Sequence, residues 1–264
     1  MKYVLTIAGS DSCGGAGIQA DIRTITGLGG HALTAITVVT AQNSRGVAAL
    51  HEIPGEFIRL QIETIIKDLQ PDSVKIGLLP TGAAVKEVAG AIKRFGFKRT
   101  VMDPVMKVSA GGHVLDPSAV SIMKKELLPL TTVITPNIHE AEALAGKRVR
   151  NPKEMEEAAK ELKKMGPDVI ITGGHLEEDC VDLLYDGEDV YHFHGSKIET
   201  VNSHGTGCVF SASLATFLAL GHDLVDAARL ANAYTRQAIK KGYACGKGSG
   251  TVYPGRFEGN GGFM

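Results

Sequence analysis

The chain has 264 residues, 44% of them hydrophobic and 22% charged, with 28 Lys+Arg against 29 Asp+Glu and a formal net charge of −1. That balance excludes a disordered polymer and a strongly basic nucleic-acid binder, and leaves a globular body with a sizeable core acting on small molecules. Cys13, Cys180, Cys208 and Cys245 stand far apart with no CxxC pair, so their spacing signals neither a zinc site nor a disulfide framework. The first apolar run is too short for a secretory core or a membrane span, so the expected location is the cytoplasm, with no membrane partner.

Strand-like apolar runs alternate with amphipathic stretches, the pattern of βαβ units around a parallel sheet covered on both faces. The expected fold is α/β: a three-layer α/β/α sandwich with a mostly parallel central sheet and an antiparallel edge. One domain is expected over 1–264, with 255–264 a frayed tail. The first strand spans 3–9 and is followed by a helix at 17–28. A run rich in β-branched residues at 32–40 reads as a central strand ending at Ala41-Gln42-Asn43, with a short strand at 47–53 beside it. Helix 55–69, strand 73–78, helix 82–95, strand 100–103, helix 117–128 and strand 132–135 continue the alternation. Helix 152–165 places Met155, Ala158, Ala159, Leu162 and Met165 on one face, and Glu156 with Lys160 as an i,i+4 pair on the wet side. After strand 169–172, strands 181–185 and 190–193 flank the hairpin signal Asp186-Gly187. Helices 207–220 and 224–241 follow, with Asp223 placed to cap the second.

In a parallel sheet, ligands sit at the carboxyl ends of the strands, and Asp11, Gln42, Gly77, Asp103, Asn137, Glu140, Gly173 and Gly205 to Cys208 all fall there. Neither a GxxxxGK[ST] loop nor a GxGxxG loop is present, so a phosphate site must be built otherwise. The stretch Val201 to Ala212 joins a glycine-rich turn to a long apolar helix. Gly205-Thr206-Gly207 can turn backbone N–H groups inward at the helix's positive end, with Cys208 in the first turn. Read by itself, the same turn is equally a loop over a buried small thiol. Lys247 offers a second charge for an anion, or is a solvated loop lysine. His204 beside Cys208 lacks an acyl-enzyme motif, and His192-x-His194 lacks further zinc ligands.

One ordered set of segments carries a resemblance. Ala8-Gly9-Ser10-Asp11-Ser12-Cys13-Gly14-Gly15-Ala16-Gly17-Ile18-Gln19-Ala20-Asp21 is followed by Ala41-Gln42-Asn43, Lys75-Ile76-Gly77-Leu78 and Met102-Asp103-Pro104-Val105-Met106. Ile134-Thr135-Pro136-Asn137, Gly173-Gly174-His175 and His204-Gly205-Thr206-Gly207-Cys208 complete it. From residue 3 to about 254 the chain resembles the hydroxymethylpyrimidine/phosphomethylpyrimidine kinase family of thiamine biosynthesis, within the ribokinase-like superfamily.

The resemblance implies an ATP- and Mg2+-dependent kinase that phosphorylates 4-amino-5-hydroxymethyl-2-methylpyrimidine and then its monophosphate. It also implies a homodimer. By the same resemblance, Gly205, Thr206 and Gly207 bind the transferring phosphoryl group, and Cys208 stands where ribokinase relatives hold an aspartate base. A helix N-terminus lowers a thiol pKa, so Cys208 is expected to work as a thiolate that deprotonates or orients the substrate hydroxyl. Gly9, Asp21, Gln42, Leu78 and Val105 are implied for the pyrimidine, Asn137, Thr172 and Lys247 for ATP, and Asp103 with Glu140 for magnesium. Many members carry Lys where this chain has Thr172, and Lys107, in a glycine-rich lid-like loop, is a candidate replacement. A vitamin B6 (pyridoxal) kinase is the alternative enzyme reading, and a non-catalytic small-molecule sensor on the same fold is the alternative outside enzymes.

Overall fold

Strand β1 (Tyr3–Asp11) passes through helix α1 (Gly17–Gly27) to β2 (His31–Asn43), which turns back as β3 (Gly46–Glu52). Further crossovers run through α2 (Gly55–Ile66) to β4 (Ser73–Ile76), α3 (Gly82–Phe95) to β5 (Thr100–Met102), and α4 (Pro117–Ile122) to β6 (Val133–Ile134). Helices α5 (Ile138–Ala145) and α6 (Pro152–Lys163) lead to β7 (Asp168–Ile171), followed by the hairpin β8 (Cys180–Tyr185) and β9 (Val190–Gly195). Helices α7 (Thr206–Leu220) and α8 (Leu224–Lys240) come after it. This is a computed structural model, and it describes residues 1–106, 117–174 and 180–257.

The strands form one nine-stranded sheet in the order β3-β2-β1-β4-β5-β6-β7-β8-β9. Pairs from β2 through β7 are parallel, whereas β2–β3, β7–β8 and β8–β9 are antiparallel. The antiparallel edge expected at β8 and β9 is present, and β3 makes a second one on the opposite side. Successive strand residues face opposite ways, and the core follows that alternation. Leu5, Ile7, Val74, Ile76 and Met102 pack on Ile58, Ile62, Val85 and Val88 of α2 and α3. Val4, Val101, Val133 and Ile170 pack on the other face against Phe210, Leu214, Phe217 and Tyr234 of α7 and α8. Helix α7 is apolar on every side because it lies against the sheet beneath the other helices, and its residues from Val209 to Ala219 are buried.

Local chemistry sets the ends of the elements. Thr81 accepts from the Ala84 N–H to start α3, and Gly96, in the left-handed region, closes it. Asp223 caps α8 by accepting from the Asp226 N–H, as its sequence position indicates. Glu156 and Lys160 form the anticipated pair at 3.8 Å. Two segments differ from expectation. The helix at 117–128 splits into α4, a π-helical turn Met123–Leu127 and a 3-10 turn Leu128–Leu130, because Pro129 brings no N–H to continue an α-helix. Helix α5 was not foreseen: Asn137 and Glu140 form its capping box, and eight residues give too little periodicity to reveal it. The lid loop around Lys107, His175 and the tail from 258 lie outside the described residues.

Candidate active site

A cleft of about 1230 Å³ opens along the carboxyl ends of the parallel strands. One end is lined by Gly9, Gln42, Leu78 and Val105, the middle by Asp103, Asn137, Glu140, Thr172 and Gly205 to Cys208, and the far end by Asp182, Asn232 and Arg236.

The middle is built on the turn before α7. Gly205 adopts φ +88°, and a Cβ there would collide with the Gly15 carbonyl, so the turn needs glycine on both counts. Thr206 N–H donates to the Ser203 carbonyl at 3.2 Å. The amides of Gly207 and Cys208 open the helix at the end where no preceding turn supplies carbonyls, which makes them donors for an anion. Cys208 keeps part of its surface open, and the Gly17 N–H donates to its sulfur. Gly17 is also held at positive φ, where a Cβ would strike the Gly9 carbonyl.

Beneath this turn lies a buried set of charges created by sheet register. Thr6 of β1 and Lys75 of β4 are cross-strand partners and point to the same face, under α1. There Lys75 Nζ pairs with Asp21 Oδ2 at 3.0 Å, both side chains fully buried, and Thr6 Oγ1 donates to the same oxygen at 2.5 Å. Among the described residues, Asp21 Oδ1 has no hydrogen-bond partner. Burial alone would lower the Lys75 pKa, but the Asp21 carboxylate outweighs it and holds the ammonium protonated. Asp103 accepts from Ser211 Oγ at 3.1 Å, and burial pushes its carboxyl up. Glu140 is pushed up to about 8, by burial first and the Asp103 charge second.

Burial likewise pushes the Cys208 thiol up to about 12, although Lys75 and the Gly17 N–H oppose it. This corrects the expectation of a thiolate. The helix N-terminus alone favours thiolate, but the surrounding protein and the Asp21 and Asp103 carboxylates disfavour it more.

A family model described as phosphomethylpyrimidine kinase matches residues 11–253. Hydroxymethylpyrimidine/phosphomethylpyrimidine kinases of Bacillus subtilis and Rhizobium meliloti are 42% and 41% identical, over 97% and 94% of this chain and 96% and 95% of theirs. The chain belongs to the phosphomethylpyrimidine kinase family. It also matches a thiamine biosynthesis bifunctional protein of Geobacter sulfurreducens at 41% identity, and spans 51% of that protein's length. Among solved structures, the ADP complex of Bacillus subtilis pyridoxal kinase superposes with a TM-score of 0.90 at 38% identity, over 96% of this chain and 97% of that one. A Clostridium difficile phosphomethylpyrimidine kinase superposes at 0.81 with 36% identity, over 90% of this chain and 100% of that one. The fold is therefore ribokinase-like, as the motifs imply.

Within this phosphomethylpyrimidine kinase fold, the residues assigned to substrate, nucleotide, magnesium or the phosphoryl group meet in the cleft except for two, and the strand-end glycines Gly77 and Gly173 do not line it either. Asp21 stands behind the cleft wall, because α1 presses it onto β1 and β4. Lys247 is exposed, while its neighbours Gly248 and Ser249 line the cleft. Three groups have partners that the sequence reading does not assign. Lys75 could have been flagged as a lysine inside an otherwise apolar central strand, since a buried lysine needs a counter-charge. His204 Nε2 lies 2.9 Å from Asp11 Oδ2, a contact between residues 193 positions apart with no local signal. Asp182, which accepts from the Gly173 N–H and the Asn232 amide at 2.9 and 2.7 Å, is equally non-local.

Proposed function

We propose that this chain is an ATP-dependent kinase that phosphorylates the hydroxymethyl group of 4-amino-5-hydroxymethyl-2-methylpyrimidine and then the monophosphate, acting as one domain. The observation that carries this is the placement of Cys208 at the N-terminal turn of α7, facing the cleft above Lys75 and beside Asp103. Phosphoryl transfer through a loose transition state asks for positioning and charge stabilisation more than for a strong base. A thiol whose pKa is near 12 therefore orients the substrate hydroxyl and does not carry it as a preformed thiolate. Gly207 and Cys208 amides hold the moving phosphoryl oxygens, and the buried Lys75 ammonium adds positive potential beneath them. Gln42, Leu78, Val105 and Gly9 form the wall for the ring, and Asn137 and Thr172 face the nucleotide side.

Magnesium fits Asp103 and Glu140: both are hard oxygen donors, and burial with mutual repulsion leaves them in want of a cation. When bound, the ion neutralises charge on the phosphate oxygens. The names of the family relatives support the pyrimidine substrate. Structural neighbours solved with ADP or AMP-PCP support the nucleotide. A homodimer in the cytoplasm completes the reading; among the described residues no helix is long and apolar enough to cross a membrane.

A second reading, vitamin B6 phosphorylation, draws on the pyridoxal kinases, with TM-scores of 0.90 and 0.91. One assay separates the two: ATP consumption with the pyrimidine alcohol, its monophosphate, pyridoxal, pyridoxine and pyridoxamine, with products read by phosphorus NMR. Turnover of both pyrimidines is expected. Turnover of B6 vitamers alone overturns the first reading, and turnover of none leaves a sensor. Cys208→Ala is expected to lower turnover at least about tenfold with ATP binding kept, since the hydroxyl loses its orienting partner.

A further inference from the structure

At the ring end of the cleft, three groups share one proton arrangement. Asp11 accepts N–H bonds from Cys13 at 2.8 Å, Gly15 at 3.0 Å and Ala16 at 2.9 Å. Burial pushes its carboxyl up, but His204 first, and then the Cys13 and Ala16 N–H groups, outweigh it and hold the carboxyl below the usual range. An ionised carboxylate only accepts, so the 2.9 Å contact places a proton on His204 Nε2. The imidazole rides on anchored backbone: His204 N–H donates to the Gly250 carbonyl at 3.1 Å, and its own carbonyl accepts from Val252 at 3.2 Å.

The amide nitrogen of Gln42 lies 3.4 Å from that same Nε2. Both atoms are donors, and two N–H groups cannot satisfy one another. A half-turn about the terminal bond of Gln42 removes the conflict: Oε1 then stands as a second, weaker acceptor beside the single Nε2 hydrogen that Asp11 accepts, and the NH2 turns away from the imidazole of a residue that lines the same cleft.

We propose that His204 is a specificity-positioning residue, which, fixed as an Nε2–H donor by Asp11, holds Gln42 with its carbonyl inward and its N–H pair toward the substrate. The cleft then offers a donor at this point and selects a ring that presents an unprotonated nitrogen. A neutral aminopyrimidine has such acceptors, whereas a protonated pyridine nitrogen is itself a donor and meets the amide badly. This rests on the pyrimidine reading and adds to it a physical basis for rejecting B6 vitamers.

The orientation is tested first without turnover, by NMR of the full-length protein labelled with 15N. The expected spectrum has His204 protonated at Nε2 and no cross-relaxation between the Gln42 NH2 and the imidazole protons. A proton on Nδ1 alone, or an NH2 in contact with the ring, overturns the proposal. In kinetics, His204→Leu is expected to raise KM for the pyrimidine alcohol about tenfold, the cost of one misdirected hydrogen bond, with kcat and the KM for ATP held. Gln42→Glu keeps the shape, loses the N–H pair, and should raise the same KM at least as much; it also serves if His204→Leu does not fold. An unchanged KM in Gln42→Glu overturns the proposal. If the wild type does not phosphorylate the pyrimidine at all, the functional reading fails while the NMR result still decides the orientation.

Discussion

Two buried aspartates flank the cleft, Asp21 behind its wall beneath the α7 turn and Asp182 at its far end, and they are satisfied in different ways. Asp21 is countered by an ammonium, Lys75, and one of its oxygens has no hydrogen-bond partner among the described residues. Asp182 is hydrogen-bonded by neutral donors, the Gly173 N–H on one oxygen and the Asn232 amide on the other, and the Arg236 charge acts on it through space without a paired contact like that of Lys75 with Asp21. Burial pushes both carboxyls up. What differs is the charge each partner adds: the Asp21 site places a fixed cation under the α7 turn, where phosphoryl charge would gather, whereas the Asp182 site ties β8 to the end of β7 and to α8. Buried charge is costly enough that its presence beneath the turn points to electrostatic work, and the neutral arrangement points to shape.

The largest break in this comparison should come from Lys75→Met. It strands Asp21 without a counter-charge, and a loss of about 3–5 kcal/mol in urea unfolding is expected. Adding Asp21→Leu to it should recover most of that loss, and no recovery would mean that the lysine is held by something other than Asp21. Asn232→Ala leaves Asp182 short of one donor and should cost about 1–3 kcal/mol by the same measurement. A cost as large as that of Lys75→Met would erase the distinction between the charged and the neutral wall. Asp223→Ala touches neither wall and removes only the cap of α8, so about 1 kcal/mol is expected, giving the scale of an ordinary local defect.

Much of the site was legible because a parallel sheet collects its strand ends on one side. Gln42, Leu78, Asp103, Asn137 and Thr172 come together from the ends of separate strands, and Cys208 joins them from the first turn of α7, as the ordered motifs indicate. The Asp186-Gly187 hairpin and the Asp223 cap were legible because each depends on a few adjacent residues. Helix α5 was not, since its capping box was read only as site chemistry. Asp21 was assigned to the substrate by resemblance, yet its depth depends on how α1 packs.

The sequence by itself determined the alternation of strands and helices, the glycine turn ahead of α7 and membership of the phosphomethylpyrimidine kinase family, because periodicity, turn chemistry and motif order are properties of neighbouring residues. Only the tertiary structure decided that Thr6 and Lys75 converge on Asp21, that Asp11 reaches His204, and that the Cys208 thiol is pushed up to about 12. Those outcomes depend on register between strands and on burial. A protonation state follows from the sum of charges and solvent around a group, which no stretch of sequence contains.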